Sequence, residues 1–180
     1  AGASGIEQLM PNVARQRGLL IIDGVIDERR QPQKSAPVAC DILKENYEMF
    51  NHDWFLAVAA YNLGIYGVDS RLDNRGAKNF FDPPWPAETW HHVYRSIAMS
   101  IMYKNRAACL PGLGSVEQYA KVPLVAYKIH LNKITNLGEL SELTGVPYGR
   151  LVQDYNPQLV GGSLPEGDYT LWFPPEHILP

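Results

Sequence analysis

The segment Asp53–Gly64 constrains the fold of this 180-residue chain more than any other part of the sequence. Trp54 to Leu63 is apolar on nearly every side of a helix, and a helix with that pattern is usually the buried centre of a bundle. Asp53 can cap the first turn and Gly64 can end the last one. The sequence therefore predicts a helical bundle built around this segment.

Helical signals extend on both sides of this central segment, over residues 1–110. Pro11 can start a helix, since proline is favoured in a first turn. The stretch from Leu19 to Gln33 is expected to be irregular, and Ser35 is expected to cap the helix that follows. Prolines lock Phe80–Pro86 in an extended form that cannot be helical.

The pattern changes in the last third of the chain. Proline and glycine mark residues 111–122 as a linker. Residues 123–180 then show the order strand, helix, helix, strand, with strands at Val125–Leu131 and Tyr169–Phe173. Each strand is too short to bury much surface alone, so the two must pair, with the helices covering one face. We predict a mainly α fold, with a helical domain over residues 1–110 followed by this small α+β module.

Composition narrows the function. The net charge is −3 and the pI is about 5.9, which gives no basic footprint for nucleic acid. No stretch approaches the roughly 18 consecutive apolar residues that a membrane-spanning helix needs. The sequence also has no glycine-rich phosphate loop, no HExxH and no GxSxG motif. We expect no nucleic-acid partner and no cofactor.

The cysteines and histidines do not suggest a metal site. Cys40 and Cys109 are too few and too far apart for a zinc pattern, and the sequence leaves open one disulfide or two free thiols. Cys40 lies in an apolar helical run and is expected to be buried. His91 and His92 are adjacent, so on a helix their rings point about 100° apart and make a poor metal pair.

Four segments of the helical part carry motifs in a fixed order. They are Gly2–Pro11 (GASGIEQLMP), Asp27–Ser35 (DERRQPQKS), Asp53–Asn62 (DWFLAVAAYN) and Phe80–Thr89 (FFDPPWPAET). These runs resemble the motifs of the lysozyme-like lytic transglycosylases, of the Slt and membrane-bound lytic murein transglycosylase D type. Four matches in the right order are a strong signal, whereas the AAYN tetrapeptide alone would be weak.

The resemblance implies a lysozyme-like fold and cleavage of peptidoglycan without water. In that family one Glu protonates the glycosidic oxygen between MurNAc and GlcNAc. It then takes the proton from the MurNAc C6 hydroxyl, which attacks C1 and gives a 1,6-anhydro sugar. The resemblance places this Glu shortly before the first motif, at a position that precedes Ala1. We therefore expect the parent protein to be a lytic transglycosylase and this chain alone to be inactive.

The resemblance also assigns five residues to substrate binding. The amide of Gln8 would bond sugar polar groups, and Met10 would pack beside the reacting carboxyl. Tyr61 and Asn62 would hold the substrate, since an Asn amide offers both donor and acceptor to an acetamido group. His92 stands where the family has a Tyr. We expect the Gln8 segment and the Tyr61–Asn62 helix end to form the walls of one groove.

Several positions depart from the family pattern and motivate other readings. Glu7 stands where the family has Trp or Met, Ile65 and Tyr66 replace a Glu-Gly pair, and Tyr94 replaces a Pro. The alternative function is therefore a catalytically inactive relative that binds peptidoglycan or scaffolds envelope proteins. A helical interaction domain unrelated to sugar is a third candidate.

The segment 123–180 resembles a degenerate LysM module, which binds GlcNAc-containing glycans. The order of its elements fits, but Asn132–Thr135 replaces the Gly-Asp-Thr that usually follows the first strand. The implied partners are peptidoglycan glycan strands, and the implied location is the bacterial periplasm or cell envelope. Membrane anchoring through a segment before Ala1, and contacts with that segment or with other envelope proteins, are left open.

Overall fold

A computed structural model describes residues 2–112 and 122–175. The α-helices of these residues are α1 Pro11–Gln16, α2 Pro32–Met49, α3 Trp54–Leu63, α4 Ile65–Asp73, α5 Ala87–Lys104, α6 Arg106–Cys109 and α7 Leu137–Thr144. The strands are β1 Ile21–Ile22, β2 Ile26–Asp27, β3 Val125–Leu131, β4 Thr135–Asn136, β5 Ser163–Leu164 and β6 Gly167–Phe173. A 3₁₀ helix spans Glu28–Arg30, and a π-helix spans Arg150–Tyr155. The predicted fold class, mainly α with a small α+β part, is confirmed.

Contacts group the chain into two compact units. The first contains the described residues of the ranges 1–39 and 120–180, and the second contains those of 40–119. The predicted domains, 1–110 and 123–180, follow the sequence pattern and stay a prediction. Residues 113–121 of the predicted linker lie outside the described part of the chain.

The core of the second unit forms around α3, as the sequence predicts. Asp53 caps this helix, because its carboxylate accepts hydrogen bonds of 2.7 and 3.2 Å from the amides of Phe55 and Leu56. Small residues on the buried side of α3 let α4 and α5 pack against it. The buried apolar side chains of this core are Phe50, Leu56, Ala59, Ala60, Val68, Phe80, Trp85 and Val93.

The core of the first unit lies under a two-stranded antiparallel sheet. Strands β3 and β6 pair along their full length, with Val125 opposite Phe173 and Leu131 opposite Gly167. The predicted strand pairing is therefore confirmed. Helix α7 contributes Leu137 and Leu140 to this core, and the π-helix contributes Leu151. The buried side chains of this core are Ile26, Leu137, Leu140, Val146, Leu151, Leu159, Leu164, Tyr169, Leu171 and Phe173.

One member of that core, Ile26, comes from the stretch expected to be irregular. That expectation is wrong, because β1 and β2 form a short hairpin there. Ile26 pairs with Leu159 in an isolated antiparallel bridge. The carbonyl oxygen of Val25 accepts hydrogen bonds of 3.1 and 3.0 Å from the amides of Val160 and Gly161. The hairpin is thus stabilised by residues far along the chain, which a local pattern does not reveal.

Two expectations for α2 are also wrong. Ser35 is not the N-cap, because the helix already begins at Pro32 and the Ser35 amide bonds the Gln31 carbonyl at 2.9 Å. Cys40 is exposed rather than buried, and Cys109 is exposed as well, both as free thiols. The buried positions of α2 include Ala39, and Cys40 lies about 100° further around the helix.

Candidate functional site

The opening loop, residues Gly2–Met10, is a tight turn closed by its own backbone. Ser4 and Leu9 form an isolated antiparallel bridge, with a hydrogen bond of 3.2 Å from the Ser4 amide to the Leu9 carbonyl. Between them the amide of Gln8 bonds the Gly5 carbonyl at 3.3 Å. Met10 follows the bridge, is exposed and stands directly before α1. The loop therefore holds Gln8 and Met10 in one defined backbone form.

Gln8 has the strained geometry that often marks a functional position. Its φ is 52°, a left-handed value that costs a non-glycine residue about 1–2 kcal/mol. Its side-chain nitrogen Nε2 donates a 2.7 Å hydrogen bond to the Gly5 carbonyl. That bond fixes the orientation of the amide in an exposed position. The Gln8 amide carbonyl Oε1 can then accept a hydrogen bond from a ligand.

A second group of predicted residues gathers where α3 ends and α5 begins. The hydroxyl of Thr89, which is 1% exposed, donates a 2.9 Å hydrogen bond to Oδ1 of Asn62. Because that bond turns the Asn62 oxygen toward Thr89, the amide nitrogen Nδ2 points away from Thr89 as a donor. The rings of Tyr61 and His92 lie nearly parallel, with an interplanar angle of 7° and centroids 6.3 Å apart. The cluster combines an oriented amide with two flat faces.

Burial changes the electrostatics of one ring in this cluster. Partial burial lowers the pKa of His92, while the nearby Glu88 carboxylate raises it by a smaller amount. The net direction is downward from the ordinary value of 6.5. His92 is therefore neutral at neutral pH, with one ring nitrogen as donor and the other as acceptor. A neutral ring of this kind suits an uncharged polar ligand.

The five predicted residues fall into two groups. Tyr61, Asn62 and His92 belong to the second unit, and the structure brings them together. Gln8 and Met10 belong to the first unit, and the structure brings these two together in the opening loop. That both groups line one groove stays a prediction.

Sequence reasoning missed two residues that hold these groups in place. Thr89 fixes Asn62 from 27 positions along the chain, and its position at the end of the FFDPPWPAET motif was the available signal. Arg29 is 6% exposed and bonds the carbonyls of Gly2 and Leu9 at 2.6 and 2.9 Å. Its spacing of two residues from Asp27 was a weak signal for a buried pair.

Within residues 2–112 and 122–175, no group of three or more His, Cys, Asp or Glu side chains is close enough to hold a metal ion. Among the described helices, none is both long enough and apolar enough to cross a bilayer.

Comparison with known proteins agrees with the motif analysis. Residues 1–82 match the family model of the transglycosylase SLT domain. The match confirms the resemblance to lytic transglycosylases over these residues.

Two curated relatives extend the similarity over nearly the full chain. Both are called membrane-bound lytic murein transglycosylase D, one from Escherichia coli strain K12 and one from an O6:H1 strain of Escherichia coli. Each is 26% identical over 182 aligned positions, which cover 98% of this chain and 39% of the relative. The chain thus spans 39% of the length of the curated relatives it matches.

Proposed function

We propose that the protein containing this chain is a peptidoglycan lytic transglycosylase. The SLT domain over residues 1–82 and the murein transglycosylases among its relatives support this activity. The observation that carries the proposal is the 2.9 Å hydrogen bond from Thr89 to Asn62. It orients a donor amide beside two parallel rings, which is the chemistry that an N-acetylated sugar requires.

In this proposal the reaction uses a single carboxyl group that precedes Ala1. A Glu donates its proton to the glycosidic oxygen, and the bond from MurNAc C1 to that oxygen breaks. The resulting carboxylate takes the proton of the MurNAc C6 hydroxyl, whose oxygen bonds C1 and closes the 1,6-anhydro ring. The carboxyl is regenerated and no water is consumed. An apolar surrounding would raise the pKa of this Glu, so that it carries its proton at neutral pH.

The described residues bind and orient the sugar in this proposal. Nδ2 of Asn62 donates to the acetamido carbonyl, because the bond from Thr89 turns the Asn62 oxygen toward Thr89 and the nitrogen away from it. Tyr61 and His92 offer flat faces to the sugar ring. The Gln8 amide carbonyl accepts from a sugar hydroxyl, and Met10 shields the reacting carboxyl from water.

Glu7 does not replace the missing acid in this account. Its carboxylate accepts a hydrogen bond of 2.6 Å from the hydroxyl of Ser35, which supports a structural role. We accordingly propose that this chain by itself is inactive. The presence of Glu7 where the family has Trp or Met favours the alternative function, an inactive relative that binds peptidoglycan or scaffolds envelope proteins.

The C-terminal strands and helices form a LysM-like module in this proposal. Its element order supports the assignment, and its closing strand is fixed by Asn156. The Asn156 side chain accepts from the amide of Trp172 at 2.8 Å and donates to the Trp172 carbonyl at 2.9 Å. Because Asn132–Thr135 lacks the usual Gly-Asp-Thr, we assign the module a bracing role ahead of glycan binding.

The location proposed is the bacterial periplasm or cell envelope, where peptidoglycan lies. The partners are peptidoglycan glycan strands. The name of the relatives, which are membrane-bound, supports an anchor before Ala1. Other envelope proteins remain candidate partners of the same protein.

The test is digestion of purified sacculi by the full-length protein, with mass spectrometry of the products. We expect muropeptides that end in 1,6-anhydroMurNAc. Asn62→Ala should lower kcat/KM about 2- to 10-fold, the range for removing one hydrogen bond between neutral groups of about 0.5–1.5 kcal/mol. Asn74→Ala is the matched control, because the Asn74 amide bonds only Ser70 on its own helix among the bonds described.

Three outcomes would contradict the proposal. Hydrated reducing ends in place of anhydro ends would indicate a hydrolase. Binding to sacculi without any product would favour the inactive relative. Equal activity of Asn62→Ala and Asn74→Ala would remove Asn62 from the site.

A further inference from the structure

The opening loop is held at both ends by one buried side chain. The Arg29 guanidinium donates through Nη1 to the Gly2 carbonyl at 2.6 Å and to the Leu9 carbonyl at 2.9 Å. These two carbonyls flank the turn that carries Gln8. Charge-assisted hydrogen bonds of this kind are about twice as strong as neutral ones. Arg29 therefore links the two ends of the opening loop.

The same residue also touches the middle of the loop. Gly5 packs directly on the backbone carbonyl of Arg29, and a Cβ atom at Gly5 would overlap that oxygen. The Gly5 φ of 78° also disfavours any side chain there. Arg29 thus contacts the loop at Gly2, Gly5 and Leu9.

Arg29 is itself fixed by Asp27. Its Nε donates to one Asp27 carboxylate oxygen at 2.9 Å and its Nη2 donates to the other at 2.7 Å. This bidentate pair sets the plane of the guanidinium. The side chains of Arg29 and Asp27 are 7% and 14% exposed, so little water screens the pair. The direction of the guanidinium follows from the position of Asp27.

Asp27 is in turn attached to the C-terminal elements of the first unit. Its amide donates a 2.8 Å hydrogen bond to the carbonyl of Gln158. The preceding Ile26 is 1% exposed and lies in the core beneath strands β3 and β6. A continuous path of short polar contacts therefore runs from Gln158 through Asp27 and Arg29 to the Gln8 loop.

We propose that Arg29 is a positioning residue for Gln8, and that the C-terminal elements hold the opening loop through Asp27. The functional part of this proposal rests on the proposed role of Gln8 in binding substrate. In this proposal residues 125–173 stabilise the opening loop, in addition to any glycan that they bind. Loss of that segment would leave the SLT domain without a fixed opening loop.

The first test measures the loop directly, by hydrogen exchange of the full-length protein with mass spectrometry. Arg29→Gln should speed exchange of the peptide that covers residues 2–10 by at least about tenfold, because the charge-assisted bonds to both loop carbonyls are lost. Peptides of α3 should keep their rates. Arg30→Gln is the matched control, because Arg30 is the exposed neighbour of Arg29.

A pair of glycines tests the part played by the C-terminal elements. A Cβ at Gly161 would lie 2.5 Å from the Gly24 carbonyl oxygen, whereas a Cβ at Gly162 meets nothing within 4 Å. Gly161→Ala should therefore push the β1–β2 hairpin off the C-terminal elements and speed exchange of residues 2–10. Gly162→Ala should leave that exchange at the wild-type rate.

A third test asks whether Arg29 acts through Gln8. In sacculus digestion, Arg29→Gln should lower kcat/KM about 10- to 100-fold, as expected when a binding group is misplaced by about 1 Å. Adding Gln8→Ala should then cost little more, because the amide is already out of place. Arg29→Lys should recover part of the activity, since one ammonium can still reach a loop carbonyl.

The outcomes separate this proposal from the proposed function. Unchanged loop exchange in Arg29→Gln, or fully additive effects of Arg29→Gln and Gln8→Ala, would overturn the positioning role. If Arg29→Gln does not fold, Gly5→Ala perturbs the same contact with the Asp27–Arg29 pair intact, and an unaltered loop in that variant overturns the role equally. If wild type shows no turnover while loop exchange responds as expected, the proposed function fails and the positioning holds.

Discussion

Individual side chains in this chain act mainly by orienting their neighbours. Thr89 occupies one end of the Asn62 amide and so decides which end faces a ligand. Arg29 does the same for the backbone of the opening loop. Both orienting residues are buried, whereas Gln8 is exposed and Asn62 is half-buried. A site built this way presents few charges and relies on fixed hydrogen-bond directions, which suits a neutral sugar.

The Asp27–Arg29 pair makes stability depend on acid. Burial raises the Asp27 pKa, but hydrogen bonds and charge from Arg29, with a bond from Ser4, outweigh it and lower the pKa below 3.8. A carboxyl whose folded pKa is depressed contributes stability above its unfolded pKa and loses it as pH falls through the folded value. We therefore expect the melting temperature of Asp27→Asn to lie below wild type at about pH 6.

That difference should shrink steadily below about pH 4, where the wild-type carboxyl also becomes protonated. Thermal melts monitored by circular dichroism over this range measure it. Asp23→Asn is the control, since the Asp23 side chain is 93% exposed and pairs with Arg15 at 3.6 Å. A gap between Asp27→Asn and wild type that stays constant down to pH 3 would contradict the assignment.

Helices and strands differ in how far the sequence reveals them. Helix α3 was predictable because its cap, its apolar run and its terminating Gly64 are all local signals. The β1–β2 hairpin was not predictable, because its strands have two residues each and are stabilised by residues 158–161. The predicted start of α2 at Ser35 was too late in the chain. The helix begins at Pro32, and the Gln31 carbonyl accepts its first hydrogen bonds.

The cap of α3 gives a prediction about this element. Asp53→Ala removes the acceptor for the amides of Phe55 and Leu56, and should destabilise the protein by about 1 kcal/mol. That corresponds to a fall in melting temperature of roughly 2–4 °C for a domain of this size. Asp53→Asn should retain most of the stability because an Asn side chain also caps helices.

Asp69→Ala on the exposed face of α4 is the matched control for this change. It removes a carboxylate of the same size from a helix without removing a cap. We expect its melting temperature to stay within about 1 °C of wild type, as for most surface substitutions. Equal melting temperatures for Asp53→Ala and Asp69→Ala would show that the cap contributes nothing measurable.

At the scale of the whole molecule, the sequence predicts some residues of the candidate site but not the residues that support them. The sequence motifs predict Gln8, Tyr61 and Asn62 as site residues, because ordered matches to a known family carry that information. They do not identify the supports, since Thr89 lies 27 residues from Asn62 and Arg29 lies 27 residues from Gly2. Those contacts depend on the folded chain. The motifs thus predict the candidate binding side chains, whereas the residues that orient them are found only in the structure.

The central claim is the proposed role of Gln8 and of Asn62 in binding a glycan strand. The most direct measurement is a titration of the full-length protein with a GlcNAc hexamer, following the side-chain amide signals of both residues by NMR. We predict that both signals shift and that both titrations give the same dissociation constant. A shift of only one amide, two different dissociation constants, or no shift at saturating hexamer would contradict the account.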